Sequence, residues 1–219
     1  MPKLFLLGDS TCAIKEECAR PETGWGECFS KYLNPSFELC NMAKNGRSTE
    51  MIIHEGIFFD CFEACSSGDY VIIQFGHNET KKEIYRRTYS NTTYKLNLKW
   101  FIDNLKKKGV TVILISSIAR RRFVDGVCIN THEDYPQAMK AVADQECITF
   151  IEMSERTREY LTSIGEEKSL KYFMNFAPGI YPNYPDGRDD NTHLRPEGAE
   201  LIAKMIYDEC KKKNLEFVK

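Results

Sequence analysis

Residues 90–115 read SNTTYKLNLKWFIDNLKKKGVTVILI, and two periodicities meet inside them. Between Ser90 and Lys108 the apolar residues Leu98, Phe101, Ile102 and Leu105 recur every three or four positions, which predicts a long helix with one buried face. Gly109 stops it, since glycine readily adopts the left-handed conformation in which helices end. Val110–Ile115 follows as an unbroken aliphatic run, the pattern of a strand covered on both faces.

The same alternation extends in both directions. Lys3–Leu7 predicts a strand that Gly8 ends, a helix is expected around Gly24–Leu33, and Phe37–Asn41 predicts a second strand. A loop, Lys44–Thr49, comes next, with Thr49 placed to cap a helix. The turn Ser66–Asp69 introduces a third strand, Tyr70–Phe75, which ends at Gly76. Beyond residue 115, a helix at Tyr135–Gln145, a strand at Ile148–Ile151, and helices at Ser154–Ile164 and Pro196–Lys213 continue the series. Strands that alternate with helices are joined by crossovers and run parallel, so the expectation is a three-layer α/β/α sandwich. Its ligand crevice should lie beyond the carboxyl ends of the strands. Phe176–Arg188, rich in Pro, Tyr, Asn and Gly, reads as a long loop of the kind that is usually functional.

Composition narrows the possibilities. The 219 residues suffice for one domain with a substantial core, and none reads as an interdomain linker. A hydrophobic share of 42% and a charged share of 28% fit an ordinary globular chain. The formal net charge of -2 provides no long-range field for nucleic acid, and the short basic runs at 106–108, 120–122 and 211–213 read mainly as solvated helix ends. Nine cysteines form no Cys-x-x-Cys pair, which favours scattered reduced thiols over a disulfide frame or zinc site. No signal peptide or membrane span is visible, so the expectation is a cytoplasmic chain or an already processed one.

The chemistry sits at four separated positions. Ser10, in Gly8-Asp9-Ser10-Thr11, is a hydroxyl that becomes a useful nucleophile when an imidazole takes its proton. His193 is the candidate base, and a carboxylate must hold its tautomer. Asp190 and Asp189 are both within reach, and the spacing favours Asp190. The oxyanion of an acyl-transfer intermediate needs preorganised donors, which the Ser10 and Gly46 N–H groups and the Asn78 amide could supply. Asp9 is expected to bond the backbone of its own turn. Cys12 is a rival nucleophile two residues from Ser10, whereas the Gly-x-Ser-x-Gly elbow of α/β-hydrolases is absent. Four scattered histidines, His54, His77, His132 and His193, do not make a metal site.

The blocks carrying Ser10, Gly46, Asn78 and His193, in this order, resemble the SGNH hydrolase superfamily, the GDSL-type esterases and lipases. Gly8-Asp9-Ser10-Thr11, Gly24-Trp25-Gly26, Gly46-Arg47-Ser48, Phe75–Glu79 and Asp190–Leu194 through Gly198-Ala199 resemble the rhamnogalacturonan acetylesterases more narrowly. The resemblance spans nearly the whole chain and implies a flavodoxin-like sheet and a serine esterase that removes acetyl groups from pectic sugars. It implies Ser10 as nucleophile, His193 as base, Asp190 as its orienter, and Ser10, Gly46 and Asn78 as oxyanion donors. His77 falls beside these roles, at the pocket rim. With Asp9, Tyr181 and Tyr184 it completes the candidate substrate contacts. No cofactor or metal is implied, and the expected partner is an ester-bearing small molecule or oligosaccharide, with neither nucleic acid nor membrane. A thioesterase or lysophospholipase on the same fold, and a carbohydrate-binding protein without catalysis, are the alternatives.

Overall fold

The computed structural model describes residues 1–219. In chain order its elements are β1 (Lys3–Gly8), α1 (Trp25–Cys28), β2 (Glu38–Asn41), α2 (Thr49–His54), α3 (Ile57–Ala64), β3 (Tyr70–Gln74), α4 (Thr93–Lys107) and β4 (Thr111–Ile115). After them come β5 (Phe123–Val124), β6 (Val127–Cys128), α5 (Tyr135–Gln145), β7 (Thr149–Ile151), α6 (Ser154–Ile164), α7 (Glu166–Ser169), β8 (Phe173–Phe176), β9 (Arg188–Leu194) and α8 (Pro196–Lys212).

Five parallel strands form the central sheet in the order β2-β1-β3-β4-β7, a doubly wound flavodoxin-like arrangement. Successive side chains on each strand face opposite layers, and the core divides accordingly. Leu4, Leu6, Ile72, Ile113 and Ile115 join one apolar cluster with Trp25, Leu161, Ile202 and Ile206. Phe5, Leu7, Val71, Ile73, Val112 and Leu114 join the other with Ile52, Phe58, Phe101 and Met139. Leu98, Phe101, Ile102 and Leu105, the periodic face of α4, are wholly buried, each stabilising the fold by roughly 1.5–3 kcal/mol.

Three local expectations change. The segment expected as a helix at 24–33 is one α-turn followed by a 3₁₀ turn, and Gly26 in it lies against the Cys12 carbonyl, where any larger residue would collide. The long helix starts at Thr93 rather than Ser90, since the Thr93 hydroxyl accepts the Tyr89 N–H and the chain before it is still turning. The segment from Arg188 to Leu194 is a strand, antiparallel to β8, so Phe176–Arg188 is closed at its ends into a hairpin connection.

The chain passes from β1 outward to β2 and then returns to β3 on the other side of β1. Between the carboxyl ends of β1 and β3 this reversal opens the crevice in which such sheets bind ligands. Ser10 follows β1 and Asn78 follows β3. No helix is long and apolar enough to cross a membrane.

Candidate active site

The turn that presents Ser10 is built from its neighbours. The Asp9 carbonyl accepts the N–H groups of Cys12 and Ala13, both at 3.1 Å, and Asp9 Oδ1 accepts the Thr11 N–H and hydroxyl, both at 2.9 Å. Lys15, whose side chain is fully buried, ties this turn to two others. Its Nζ donates to the Ser10 carbonyl and to Asn45 Oδ1, and it pairs with Glu22 at 2.8 Å. Asn45, the residue preceding Gly46, is thereby locked to Ser10. Nothing in the sequence singled out Lys15, since a lysine in a polar loop is ordinarily solvated.

Asp190 and His193 lie on β9, where residues three apart would normally face opposite sides. The register explains how they meet. Phe173 pairs with Leu194 and the next residue, Met174, pairs with Asp190, so residues 191–193 bulge out of the ladder. Arg121 holds the bulge: its N–H donates to the Asn191 carbonyl at 2.8 Å and its Nη1 to Asn191 Oδ1 at 3.0 Å. Asn175 Nδ2 supports the same Oδ1 from β8 at 3.0 Å.

The result is a continuous hydrogen-bonded row. His193 Nε2 lies 2.9 Å from Ser10 Oγ, and His193 Nδ1 lies 2.8 Å from Asp190 Oδ2. Asp190 Oδ1 accepts the backbone N–H groups of Thr192 and His193 at 2.9 and 3.0 Å, and Arg188 donates to Oδ2 at 3.0 Å. Partial burial alone would raise the Asp190 carboxyl. The His193 contact and the two backbone donors outweigh it and hold the carboxyl well below the usual range, so it is a fixed anion. Asp189 touches Asn191 instead and makes no contact with the imidazole. Of the two aspartates, Asp190 is the one that contacts the imidazole.

On the opposite side of the crevice, Gly46 occupies the left-handed region at φ 75°, where a side chain would be strained. Asn78 Nδ2 donates to the Arg47 carbonyl at 2.9 Å, which fixes the amide beside this turn and leaves its second hydrogen for a ligand. Ser48 rather than Thr49 caps α2, its hydroxyl accepting the Met51 N–H, and the Thr49 N–H at the start of the helix is taken by Glu79.

Glu79, completely buried, clamps the Thr49 and Asn78 segments together. One carboxyl oxygen accepts the Thr49 N–H at 2.8 Å and the other the Asn78 N–H at 3.1 Å. Burial pushes this carboxyl up to about 8 despite those donors, with the Asp9 carboxyl adding to the rise. In the unfolded chain it titrates near ~4.3, so the folded state retains a proton that the unfolded state has lost. The stability gained in this way is complete below about pH 4 and disappears as pH rises to about 8. We expect the free energy of urea unfolding of wild type to fall relative to that of Glu79→Gln as pH rises from about 5 to about 8, the other titrating groups cancelling in the comparison. The same pH dependence in both proteins would mean that Glu79 does not titrate in this way.

Several candidate contacts lie elsewhere than expected. Asp9 is wholly buried, with Oδ2 unpartnered, and supports its turn rather than reaching a ligand. His77 is beneath the surface at 3% exposure, not on the rim, with its Nδ1 3.0 Å from Nε2 of His132. Burial lowers both imidazoles, His132 to about 3, so the pair is neutral. Tyr181 and Tyr184 pack edge-on against Phe176, and the Tyr184 hydroxyl donates to the Ala19 carbonyl at 3.0 Å. Arg188 stacks over Tyr184 with its guanidinium 5.5 Å from the ring centre, which connects that aromatic group to Asp190. Cys12 is buried and its thiol is pushed well above the usual range by burial, which removes it as a nucleophile.

Residues 6–201 match the GDSL-like lipase/acylhydrolase family. A rhamnogalacturonan acetylesterase of Bacillus subtilis, RhgT, is 36% identical over 94% of this chain and 88% of its own length. A probable rhamnogalacturonan acetylesterase of the same organism, YesY, is 32% identical over 93% and 89%. Among solved structures, the Bacillus subtilis protein YxiM superposes with a TM-score of 0.82 at 24% identity, covering 99% of this chain and 58% of that longer one. The length of the family match, together with the row from Ser10 to Asp190 at the sheet's switch point, leads to one conclusion: the chain belongs to the GDSL-like lipase/acylhydrolase family and is a carboxylic ester hydrolase.

Proposed function

We propose that the chain, acting as one SGNH hydrolase domain, is a carbohydrate acetylesterase that removes acetyl groups from pectic, rhamnogalacturonan-type oligosaccharides. The observation that carries the reading is the pair of contacts at 2.9 and 2.8 Å that join Ser10, His193 and Asp190. His193 Nε2 takes the Ser10 proton as Oγ attacks the acetyl carbonyl, and the resulting imidazolium is stabilised by Asp190. The oxyanion accepts from the Ser10 and Gly46 N–H groups and from the free hydrogen of the Asn78 amide. His193 then gives its proton to the departing sugar oxygen, leaving acetyl on Ser10. A water molecule, deprotonated by the same imidazole, releases acetate and restores the serine.

Acetyl is favoured over long acyl groups by what surrounds the serine. Asn45, Arg47, Asn78 and Arg188 are polar neighbours of the reacting row. The names of the Bacillus relatives point to the same substrate class.

A chromogenic ester series tests the acyl preference. We expect kcat/KM to be highest for acetyl and to fall with each added carbon. A maximum at long chains would transfer the reading to a thioesterase or lysophospholipase. Within the acetyl substrate, Asn78→Ala should lower kcat roughly 10²- to 10³-fold with a small change in KM, as expected for a donor acting mainly on the transition state. An unchanged kcat would remove Asn78 from the oxyanion site.

A further inference from the structure

Immediately after Asn78 the chain forms a closed loop. Thr88 N–H returns to the Glu79 carbonyl at 3.1 Å, and the Tyr135 hydroxyl donates to the Thr88 carbonyl at 2.6 Å. Arg86, two residues from that anchored base, extends back over the oxyanion turn. Its Nη2 lies 3.6 Å from the position that a β-carbon on Gly46 would occupy. Its Nε is buried with no hydrogen-bond partner.

The neighbouring guanidiniums differ in this respect. Arg47 pairs with Glu55 at 2.8 Å and Arg188 with Asp190 at 3.0 Å. Arg86 has no ion-pair partner, and its guanidinium lies 6.0 Å from the centre of the Tyr85 ring, a tyrosine that is 56% exposed. A partly desolvated guanidinium without a carboxylate, at the edge of the acyl site and next to an open aromatic ring, is an unfilled anion site.

Resting on the sugar-ester reading, we propose that Arg86 binds the carboxylate of a uronic acid in the substrate, so that the ring carrying or adjoining the acetyl group is selected by its charge. Tyr85 offers that ring an apolar face. A guanidinium–carboxylate contact of this kind is worth about ten- to a hundredfold in kcat/KM. Rising salt should erode the gain, because the site is open to solvent on one side.

The test compares an acetylated methyl galacturonoside with its carboxyl methyl ester, substrates that differ only in charge, using wild type, Arg86→Gln and Arg86→Lys. Thermal melting first establishes that the variants are folded. In wild type the ratio of the two kcat/KM values should favour the free carboxylate by tenfold or more at low salt. Arg86→Gln should bring that ratio close to one, and Arg86→Lys should recover part of it as a point charge without the planar fork. A ratio unaffected by Arg86→Gln, or an equal fall on both substrates, would overturn the assignment while leaving the sugar esterase reading in place. If wild type hydrolyses neither sugar yet turns over other acetyl esters, the sugar reading falls and the uronate site falls with it.

Discussion

Ser10→Ala is expected to abolish ester turnover and to leave the fold as it is. The hydroxyl is the only group in the crevice that sits 2.9 Å from His193 Nε2, and no second nucleophile can replace it, since Cys12 is buried with its thiol held protonated. Losing the hydroxyl deletes the acyl-enzyme step, and what survives is the background from the oxyanion donors and binding alone. The cost to stability should be within about 1 kcal/mol, because one hydrogen bond is lost at the edge of the crevice, where the half-buried imidazole can still reach water. Ester turnover at the wild-type rate, measured beside an unchanged melting temperature, would reject Ser10 as the acyl carrier.

The second large effect is expected at Asp190. In Asp190→Asn the amide oxygen can keep the N–H bonds of Thr192 and His193, so the bulge should persist. The amide nitrogen then faces both His193 Nδ1 and the Arg188 guanidinium. A donor opposite Nδ1 forces that nitrogen to be the acceptor, and the imidazole proton moves to Nε2, where it points at the serine. The base is then in the wrong tautomer and the countercharge for the imidazolium is gone. We expect kcat to fall roughly 10³- to 10⁴-fold with KM for a small acetyl ester little changed. A fall below tenfold would mean that another group orients His193. Asp189→Asn is the control and should leave kcat near wild type, because Asp189 contacts only Asn191.

The parts of this site that could be read from residues alone are those set by local rules. The strands ending at Gly8 and near Gly76 are unbroken apolar runs, and a parallel sheet directs their exits into one crevice. Ser10 and Asn78 therefore came together on the strength of periodicity and topology. Spacing favours Asp190, but its contact with His193 depends on the bulge of β9. That bulge depends on the Phe173–Leu194 and Met174–Asp190 pairings and on Arg121, seventy residues earlier. Neither pairing carries a period-two signal, since Arg188–Leu194 is almost wholly polar and reads as loop.

Buried polar groups were the least legible. Lys15 and Glu79 are charged-type residues in polar stretches, and nothing local distinguishes them from solvated ones. Only the folded chain shows Lys15 joining Ser10 to Asn45, or Glu79 joining Thr49 to Asn78. His77 is expected at the rim because it adjoins Asn78, but it is turned into the protein against His132. Asp9 bonds the backbone of its own turn through Thr11, as its place beside Ser10 in that turn suggests.

Release of acetate from acetylated rhamnogalacturonan oligosaccharides, followed directly and not through a chromogenic leaving group, tests the central claim most closely. The account predicts acetate production by wild type that disappears in Ser10→Ala. Absence of acetate from these sugars, with Ser10-dependent cleavage of a long-chain thioester or a lysophospholipid in the same preparation, would contradict it.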